Sequence, residues 1–155
     1  MNFDDHIADS DGELLRKRLV TVALEWERRY GVAPSVTGAL SEYDAARLIG
    51  HTASTYSLDC SGRTAVTRGA DFSFGGLRYQ VKACRPSGKW GSTVTNVPKA
   101  KNCDWDRLVW ILYDRDYRVL EAWEWLVVDY RAAFDSRSRL SPIDMRSGRS
   151  LLSQS

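Results

Sequence analysis

The chain has 155 residues, of which 43% are hydrophobic and 27% are charged, and its formal net charge is +2. This length fits one domain with a hydrophobic core, and the composition excludes a disordered or fibrous chain. Three cysteines without CxxC spacing indicate neither a disulfide framework nor a zinc site. No apolar stretch approaches the ~20 residues that span a bilayer, and the acidic start is unlike a signal peptide. We therefore expect a single cytoplasmic domain over residues 1–155 with no membrane partner.

Helices are predicted in the first third of the chain. Apolar residues at three-to-four spacing predict an amphipathic helix over residues 11–30 whose apolar face should pack in the core. This face consists of Leu14, Leu15, Leu19, Val22, Ala23 and Trp26. A second helix is predicted from after Pro34 to about Gly50, and a capping-box pattern allows it to start as late as Ser41. Residues 51–69 are predicted to be a connection with at most one short strand. We expect residues 1–10 and 150–155 to be flexible.

Strand patterns dominate the remainder of the sequence. Residues 71–82 alternate between polar and apolar types around Gly75-Gly76, which predicts a hairpin with a two-residue turn. Residues 84–104 are predicted to be a long loop that could contact a substrate. Two more strands are predicted at Arg107–Tyr113 and Tyr117–Trp125, then a helix at about Leu126–Phe134 and a helix start at Pro142. This order predicts an α/β fold whose central mixed β-sheet contains an antiparallel hairpin and is flanked by helices.

The hairpin brings together residues that could perform chemistry. With Gly75-Gly76 as the turn, Asp71 lies opposite Gln80, and directly opposed Cβ atoms are about 4.5–5.5 Å apart. The Asp71 carboxylate and the Gln80 amide oxygen could then converge on one point. Lys82 shares their face because side chains alternate along a strand. The opposite face is apolar and should pack on the core; it carries Phe72, Phe74, Leu77, Tyr79 and Val81.

An acid, an amide oxygen and a lysine on one face suit Mg²⁺, which prefers oxygen ligands and is often completed by substrate phosphate. Mn²⁺ could replace it. The lysine could orient or help deprotonate an attacking water and offset charge on the phosphate. A solvent-facing strand surface with ordinary polar residues would give the same pattern, so spacing alone leaves both interpretations open.

Ala70-Asp71, followed nine residues later by Gln80-Val81-Lys82, resembles the signature of the PD-(D/E)xK nucleases, in the variant with Gln in place of the second acid. Glu42 resembles the helix glutamate of many such nucleases. It shares a helical stripe with Ala45 and Ala46, which directs its carboxylate toward the core. Alternatively, it is a first-turn acid favoured by the helix dipole. The resemblance implies a restriction-endonuclease-like core, with Glu42, Asp71 and Gln80 as metal ligands and Lys82 as a catalytic residue.

Together these patterns predict a metal-dependent endonuclease that hydrolyses phosphodiester bonds, with DNA as the partner; a restriction or defence role follows from the resemblance alone. A basic run without acidic residues supplies candidates for phosphate contacts or stacking, namely Arg78, Arg85, Lys89, Trp90, Lys99 and Lys101. The C-terminal arginines could form a second patch. A solvated charged face would give the same run. A homodimer would align two sites on a duplex. The alternatives are an inactive nuclease-like module that binds nucleic acid or protein, and an RNA nuclease.

Overall fold

The computed structural model describes residues 3–63 and 70–153. Within these residues, helices fill the first part of the chain and strands dominate the second. In chain order the elements are α1 (Phe3–Tyr30), α2 (Thr37–Ile49), α3 (Ala53–Ser61), β1 (Phe72–Phe74), β2 (Leu77–Cys84), β3 (Arg107–Tyr113), β4 (Val119–Leu126), α4 (Val127–Phe134), α5 (Pro142–Met145) and β5 (Arg149–Ser150). None of the helices described is long and apolar enough to cross a membrane.

The five strands form one mixed sheet in the order β1-β2-β3-β4-β5. β2 and β3 are parallel, and the other neighbouring strands are antiparallel. A parallel pair needs a connection that crosses from one end of the sheet to the other, and residues 85–106 provide it without a helix or strand of their own. The predicted α/β fold, a mixed sheet with a hairpin and flanking helices, is confirmed.

Each face of the sheet covers its own hydrophobic core. β3 is buried on both faces, and its sequence is accordingly almost continuously apolar. On one face, Ile111 belongs to a core shared with Ala23 of α1 and Ala45 of α2. On the other face, Trp110 belongs to a core shared with α4, α5 and the segment 85–106. The long segment therefore packs on the second face of the sheet.

The hairpin has the predicted register. Phe72 pairs with Tyr79, and Phe74 pairs with Leu77 across the turn. Gly75 and Gly76 have φ angles of 58° and 78°. A type I′ turn requires positive φ at both central residues, which glycine adopts without steric cost. The prediction of a two-residue Gly-Gly turn is confirmed.

Boundaries in the second half of the chain are close to those predicted. β3 covers Arg107–Tyr113, whereas β4 begins at Val119 rather than Tyr117. Tyr117 has a φ of 62°, which is incompatible with an extended strand, so the turn is longer than predicted. β5 was not predicted, because two residues carry no alternating pattern. It pairs with β4, and Leu151 continues this contact by donating its N–H to the carbonyl of Ala122 at 2.8 Å.

The connection predicted after α2 is wrong in its first part, because residues 53–61 form α3. A capping box starts this helix: Thr52 Oγ1 accepts from the Thr55 N–H at 3.1 Å, and Thr55 Oγ1 accepts from the Thr52 N–H at 2.9 Å. The second residue of this box is Thr rather than the usual Glu or Gln, so the sequence pattern did not reveal it. Residues 64–69 lie outside the described residues. α2 begins at Thr37, so the late start at Ser41 is also wrong.

The first helix is longer than predicted, and most of its predicted apolar face is exposed. It begins at Phe3 rather than near Asp11, and Asp9 accepts a hydrogen bond from the Ala53 N–H at 2.6 Å. Of that face only Ala23 is buried, whereas the other five residues are exposed, including Leu15 (67%) and Trp26 (50%). The helix packs through Ala23 and through the ion pair between Arg16 and Asp44. Periodicity identified an apolar stripe but could not show which side of α1 packs on the rest of the protein.

Candidate active site

The candidate site lies where β1 ends, so that one edge of β2 has no partner among the strands that the structure describes. β1 pairs with β2 only as far as Tyr79, whereas β2 continues to Cys84 beside β3. Asp71 lies at this point and continues the hairpin, because its N–H donates to the Tyr79 carbonyl at 2.7 Å. Its Oδ2 accepts the Val81 N–H at 2.7 Å. The carboxylate thus replaces the backbone acceptor that a longer β1 would have supplied.

Gln80 contacts Asp71, as the predicted register required, but through the other end of its amide. Gln80 Nε2 donates to Asp71 Oδ2 at 2.8 Å. An ionised carboxylate only accepts hydrogen bonds, so the nitrogen must face it. The convergence of the amide oxygen and the carboxylate on one metal ion stays a prediction. The amide oxygen is left at the other end of the group, and rotation of the amide would exchange the two atoms.

Lys82 lies two residues further along β2 and is half-buried. Strand alternation puts its side chain on the same face as Gln80, and Arg78 lies on that face on the other side of Gln80. The register with β3 sets Gln80 beside Leu108 and Lys82 beside Trp110. Lys82 therefore projects from the open part of β2 at the border of the second core.

Glu42 lies on α2, which packs on the sheet face opposite to Gln80 and Lys82, and its charge interacts with that of Asp71. Glu42 is half-buried, and α2 packs on the face that carries Tyr79. Burial raises the pKa of the Glu42 carboxyl, and the negative charge of Asp71 raises it further. The positive charge of Arg63 acts in the opposite direction. Two elements distant in sequence thus carry two carboxylates whose negative charges act on each other.

Contacts around Ser73 fix β1 and therefore the position of Asp71. The buried His51 donates from Nε2 to the Ser73 carbonyl at 2.7 Å, because a carbonyl can only accept, and its Nδ1 is hydrogen-bonded to Thr55 Oγ1 at 2.8 Å. Asp59 Oδ2 accepts the Ser73 N–H at 3.1 Å. Both ring nitrogens of His51 are engaged in these structural contacts, so its role is to hold the hairpin against α3.

Arg63, just past α3, is a cation near the site that the sequence analysis missed. Its Nη2 donates to Asp59 Oδ2 at 3.1 Å, and its charge reaches Glu42. Residues 51–69 were predicted to be a connection, so nothing in the pattern set Arg63 apart from other basic residues. A helix prediction over residues 53–61 would have placed it beside the hairpin.

The donor set suits a hard cation with few protein ligands. Among residues 3–63 and 70–153, no group of three or more His, Cys, Asp and Glu side chains is placed to hold a metal. Mg²⁺ does not need such a group, because it is commonly bound by one or two carboxylates and completed by waters and substrate phosphate. Glu42 and Asp71 supply two carboxylates that repel each other, and a cation would relieve that repulsion. The residues present therefore fit Mg²⁺ or Mn²⁺.

The six candidates for nucleic-acid contact fall into two groups. Three are exposed beside or within the long segment, and Trp90 is 92% exposed. These three are Lys89, Trp90 and Lys101. Arg78 is also exposed and pairs loosely with Asp106 at 3.6 Å.

The other two candidates are engaged with the protein itself. Lys99 donates to the Arg137 carbonyl at 2.7 Å. The Arg85 side chain is only 7% exposed, and both its terminal nitrogens bind the Glu27 carboxylate at 3.0 Å. Arg85 also lies over the Tyr117 ring at 4.2 Å. Its guanidinium anchors the long segment to α1, and the proposed contact surface does not include it.

The C-terminal arginines do not form an open patch. Four of them form ion pairs with acidic residues, namely Arg131 with Asp135, Arg137 with Asp144, Arg146 with Glu121 and Arg149 with Glu124. Their charges are largely balanced within the chain. Basic groups near the candidate site are therefore concentrated on β2 and the long segment.

Comparisons with known proteins identify no family for this chain. No family model matches the chain, and no curated protein matches it significantly.

Proposed function

We propose that the protein is a metal-dependent endonuclease of the PD-(D/E)xK type that hydrolyses phosphodiester bonds in DNA. The observation that carries the proposal is the contact of Gln80 with Asp71 beyond the end of β1, where the charge of Asp71 also acts on the carboxyl of Glu42. Lys82 lies two residues beyond Gln80 on the same strand face. The hairpin supplies Asp71, Gln80 and Lys82, and helix α2 supplies Glu42. A solvent-facing strand surface with ordinary polar residues would not need a carboxylate from a separate helix.

The order of elements supports the same proposal. Helix, hairpin, long segment, strand, strand and helix follow one another as the resemblance implies for a restriction-endonuclease-like core. Because the pairing with β1 ends at Phe72, no described strand pairs with the β1 side of β2 beyond Tyr79. A substrate phosphate could approach β2 from that side.

In this proposal Glu42 and Asp71 would hold Mg²⁺, and the Gln80 amide would add an oxygen after rotation. Such an ion would supply a water of lowered pKa and polarisation of a phosphoryl oxygen. The Val81 N–H donates to Asp71 Oδ2 and so orients the carboxylate, and Oδ1 takes no part in this bond. Lys82 places an ammonium beside the reacting phosphate and stabilises the negative charge that develops there.

The exposed part of the long segment supplies the substrate surface. Lys89 and Lys101 contact phosphates, which contributes affinity without sequence preference. Trp90 stacks on an unpaired base or packs against a sugar. Arg78 lies on the strand face of Gln80 and Lys82, so it contacts a phosphate next to the one that is cleaved.

The test is cleavage of supercoiled plasmid by the purified chain with Mg²⁺, Mn²⁺ or chelator. Wild type should nick or linearise the plasmid only with metal, and Asp71→Asn and Lys82→Ala should lose at least about 100-fold in rate. Asp129→Asn and Lys17→Ala are matched controls, because both residues are exposed and lie outside the site. Equal rates in site and control variants would indicate a contaminating nuclease and refute the assignment.

A nucleic-acid-binding module without activity is the second candidate. The hydrogen bond from Gln80 to Asp71 favours it, because that bond satisfies one carboxylate oxygen in the absence of metal. Binding assays on the same variants separate the two functions. A nuclease with Lys82→Ala should still bind DNA, whereas a module should bind with no cleavage in any variant. Cleavage of single-stranded RNA but not duplex DNA would instead show an RNA nuclease.

A further inference from the structure

Helix α1 carries a continuous apolar stripe that the other residues described, within 3–63 and 70–153, leave exposed. Its side chains are between 36% and 67% exposed. The stripe consists of Leu15, Leu19, Val22, Trp26 and Tyr30. At about 100° per residue these five positions fall within an arc of about 80° on the helix surface. Steps of four, three, four and four residues separate them, and steps of three and four are the spacing by which one helix packs along another.

Charged residues line one flank of this stripe in an ordered way. Asp11, Arg18, Glu25 and Arg29 are all exposed and fall within a neighbouring arc of about 40°. Along the helix their signs are negative, positive, negative and positive. Glu25 makes only exposed ion pairs with Arg28 and Arg29, at 2.8 Å and 3.1 Å. Such surface pairs are weak and can exchange partners.

The two halves of the stripe differ in shape. The N-terminal half borders an open groove of about 840 Å³, lined mainly by apolar atoms between α1, α2 and α3. Leu15, Leu19 and Leu58 line this groove. The C-terminal half instead projects two aromatic rings, Trp26 and Tyr30, whose centroids are 4.7 Å apart. One helix thus presents a cavity at one end and an aromatic projection at the other.

We propose that two copies of the chain associate through α1 as an antiparallel, two-fold symmetric dimer. A two-fold axis between Leu19 and Val22 sets Leu15 of one copy against Trp26 of the other. The aromatic pair of each copy then lies over the groove of its partner, and the same contact forms twice. Aromatic side chains seated in apolar pockets are the usual anchors of stable interfaces.

The flanking charges select the antiparallel orientation. About this axis, Arg18 faces Glu25 of the other copy, and Asp11 faces Arg29 of the other copy. In an antiparallel pair the same flank of each helix meets its counterpart, so all four contacts join opposite charges. A parallel two-fold pair would set the charged flanks of the two helices on opposite sides of the seam, so these four contacts would not form, and it would leave the groove without its aromatic partner. Charge and shape therefore favour the same arrangement.

The available area is sufficient for a specific dimer. Half-exposed side chains of this size leave on the order of 100 Å² each, so the stripe offers about 500 Å² per copy. Leu58 and the groove walls increase this figure. Specific interfaces bury roughly 600–1,000 Å² per partner, so the contact lies at the lower end of that range.

The dimer does not depend on the proposed nuclease chemistry, because no stripe residue belongs to the candidate active site. The first measurement is sedimentation equilibrium of the full chain over about 1–100 µM. The wild type should show a mass of twice 17.5 kDa. Val22→Glu should be monomeric and retain the circular dichroism spectrum. Val128→Glu, at an exposed helical valine on α4, is the matched control and should remain dimeric.

Charge reversal tests the orientation. Arg18→Glu alone and Glu25→Arg alone should each weaken association by about tenfold, because each creates two like-charge contacts. An equimolar mixture of these two variants should recover the wild-type affinity to within about threefold. Lys17→Glu, on the opposite side of α1, should leave association unchanged. A wild type that stays monomeric, a dimer insensitive to Val22→Glu, or a mixture that does not recover would each overturn the proposal.

Discussion

Replacing Glu42 with glutamine should stabilise the metal-free protein at neutral pH. Burial and the charge of Asp71 raise the pKa of Glu42 above its ordinary value of 4.5. A carboxyl whose pKa is raised on folding destabilises the folded state once the pH exceeds the unfolded pKa. Glutamine keeps the shape and removes the charge. Because the side chain is half-buried and partly solvated, we expect a gain of about 0.5–1 kcal/mol.

The pH dependence of this gain has a defined sign. Near pH 4 the carboxyl is largely protonated in both states, so wild type and Glu42→Gln should unfold at nearly the same urea concentration. The difference should grow as the pH rises above 4.5 and become constant above the raised folded pKa. Urea unfolding with chelator at pH 4 and pH 7.5 measures both values.

Glu121→Gln is the matched control, because the opposite sign is expected there. The Arg146 guanidinium lowers the pKa of Glu121 by a hydrogen bond at 2.8 Å. That carboxylate contributes stability above its unfolded pKa and loses it as the pH falls, so glutamine should destabilise at pH 7.5. If Glu42→Gln were also less stable than wild type at pH 7.5 without metal, the account of Glu42 and Asp71 as repelling neighbours would be refuted.

Three further predictions concern the elements around the site. Glu27→Gln should cost about 2–4 kcal/mol in urea unfolding, because it leaves the nearly buried Arg85 without its carboxylate; a loss below about 1 kcal/mol would contradict the anchoring role. Thr55→Ala should cost about 1 kcal/mol by removing the capping box with Thr52, as a lower melting temperature would show, and an unchanged temperature would contradict that role. Trp90→Ala should weaken single-stranded DNA binding by about tenfold in fluorescence anisotropy without changing the melting temperature, and equal affinity would remove Trp90 from the contact surface.

Local patterns predicted the hairpin in detail because its determinants are local. Gly75-Gly76 fixes the turn, and the turn fixes which residues face each other. The contact of Asp71 with Gln80 followed from that register alone. Which atom of the Gln80 amide faces Asp71 depends on the Val81 N–H and on the charge state of the carboxylate. Those details belong to the folded site, so the pattern could not supply them.

Long-range packing set the features that the sequence did not reveal. The apolar stripe is the strongest pattern in the sequence of α1. Arg16 and Glu27 nevertheless face the rest of the protein, because they form ion pairs with Asp44 and Arg85 on distant elements. α3 lacks a hydrophobic stripe, so only its threonine capping box indicates a helix. The interaction of Glu42 with Asp71 depends on how α2 packs on the hairpin. No local pattern in the sequence between them predicts this packing.

Isothermal titration of Mn²⁺ into the purified chain tests the proposed site most directly. Wild type should bind the ion, and Glu42→Gln and Asp71→Asn should each weaken binding by at least about tenfold, because each removes one of two ligating charges. Glu121→Gln should match wild type. An affinity that is the same in all four proteins, or no binding by wild type, would contradict the assignment of this edge of β2 as a metal-dependent active site.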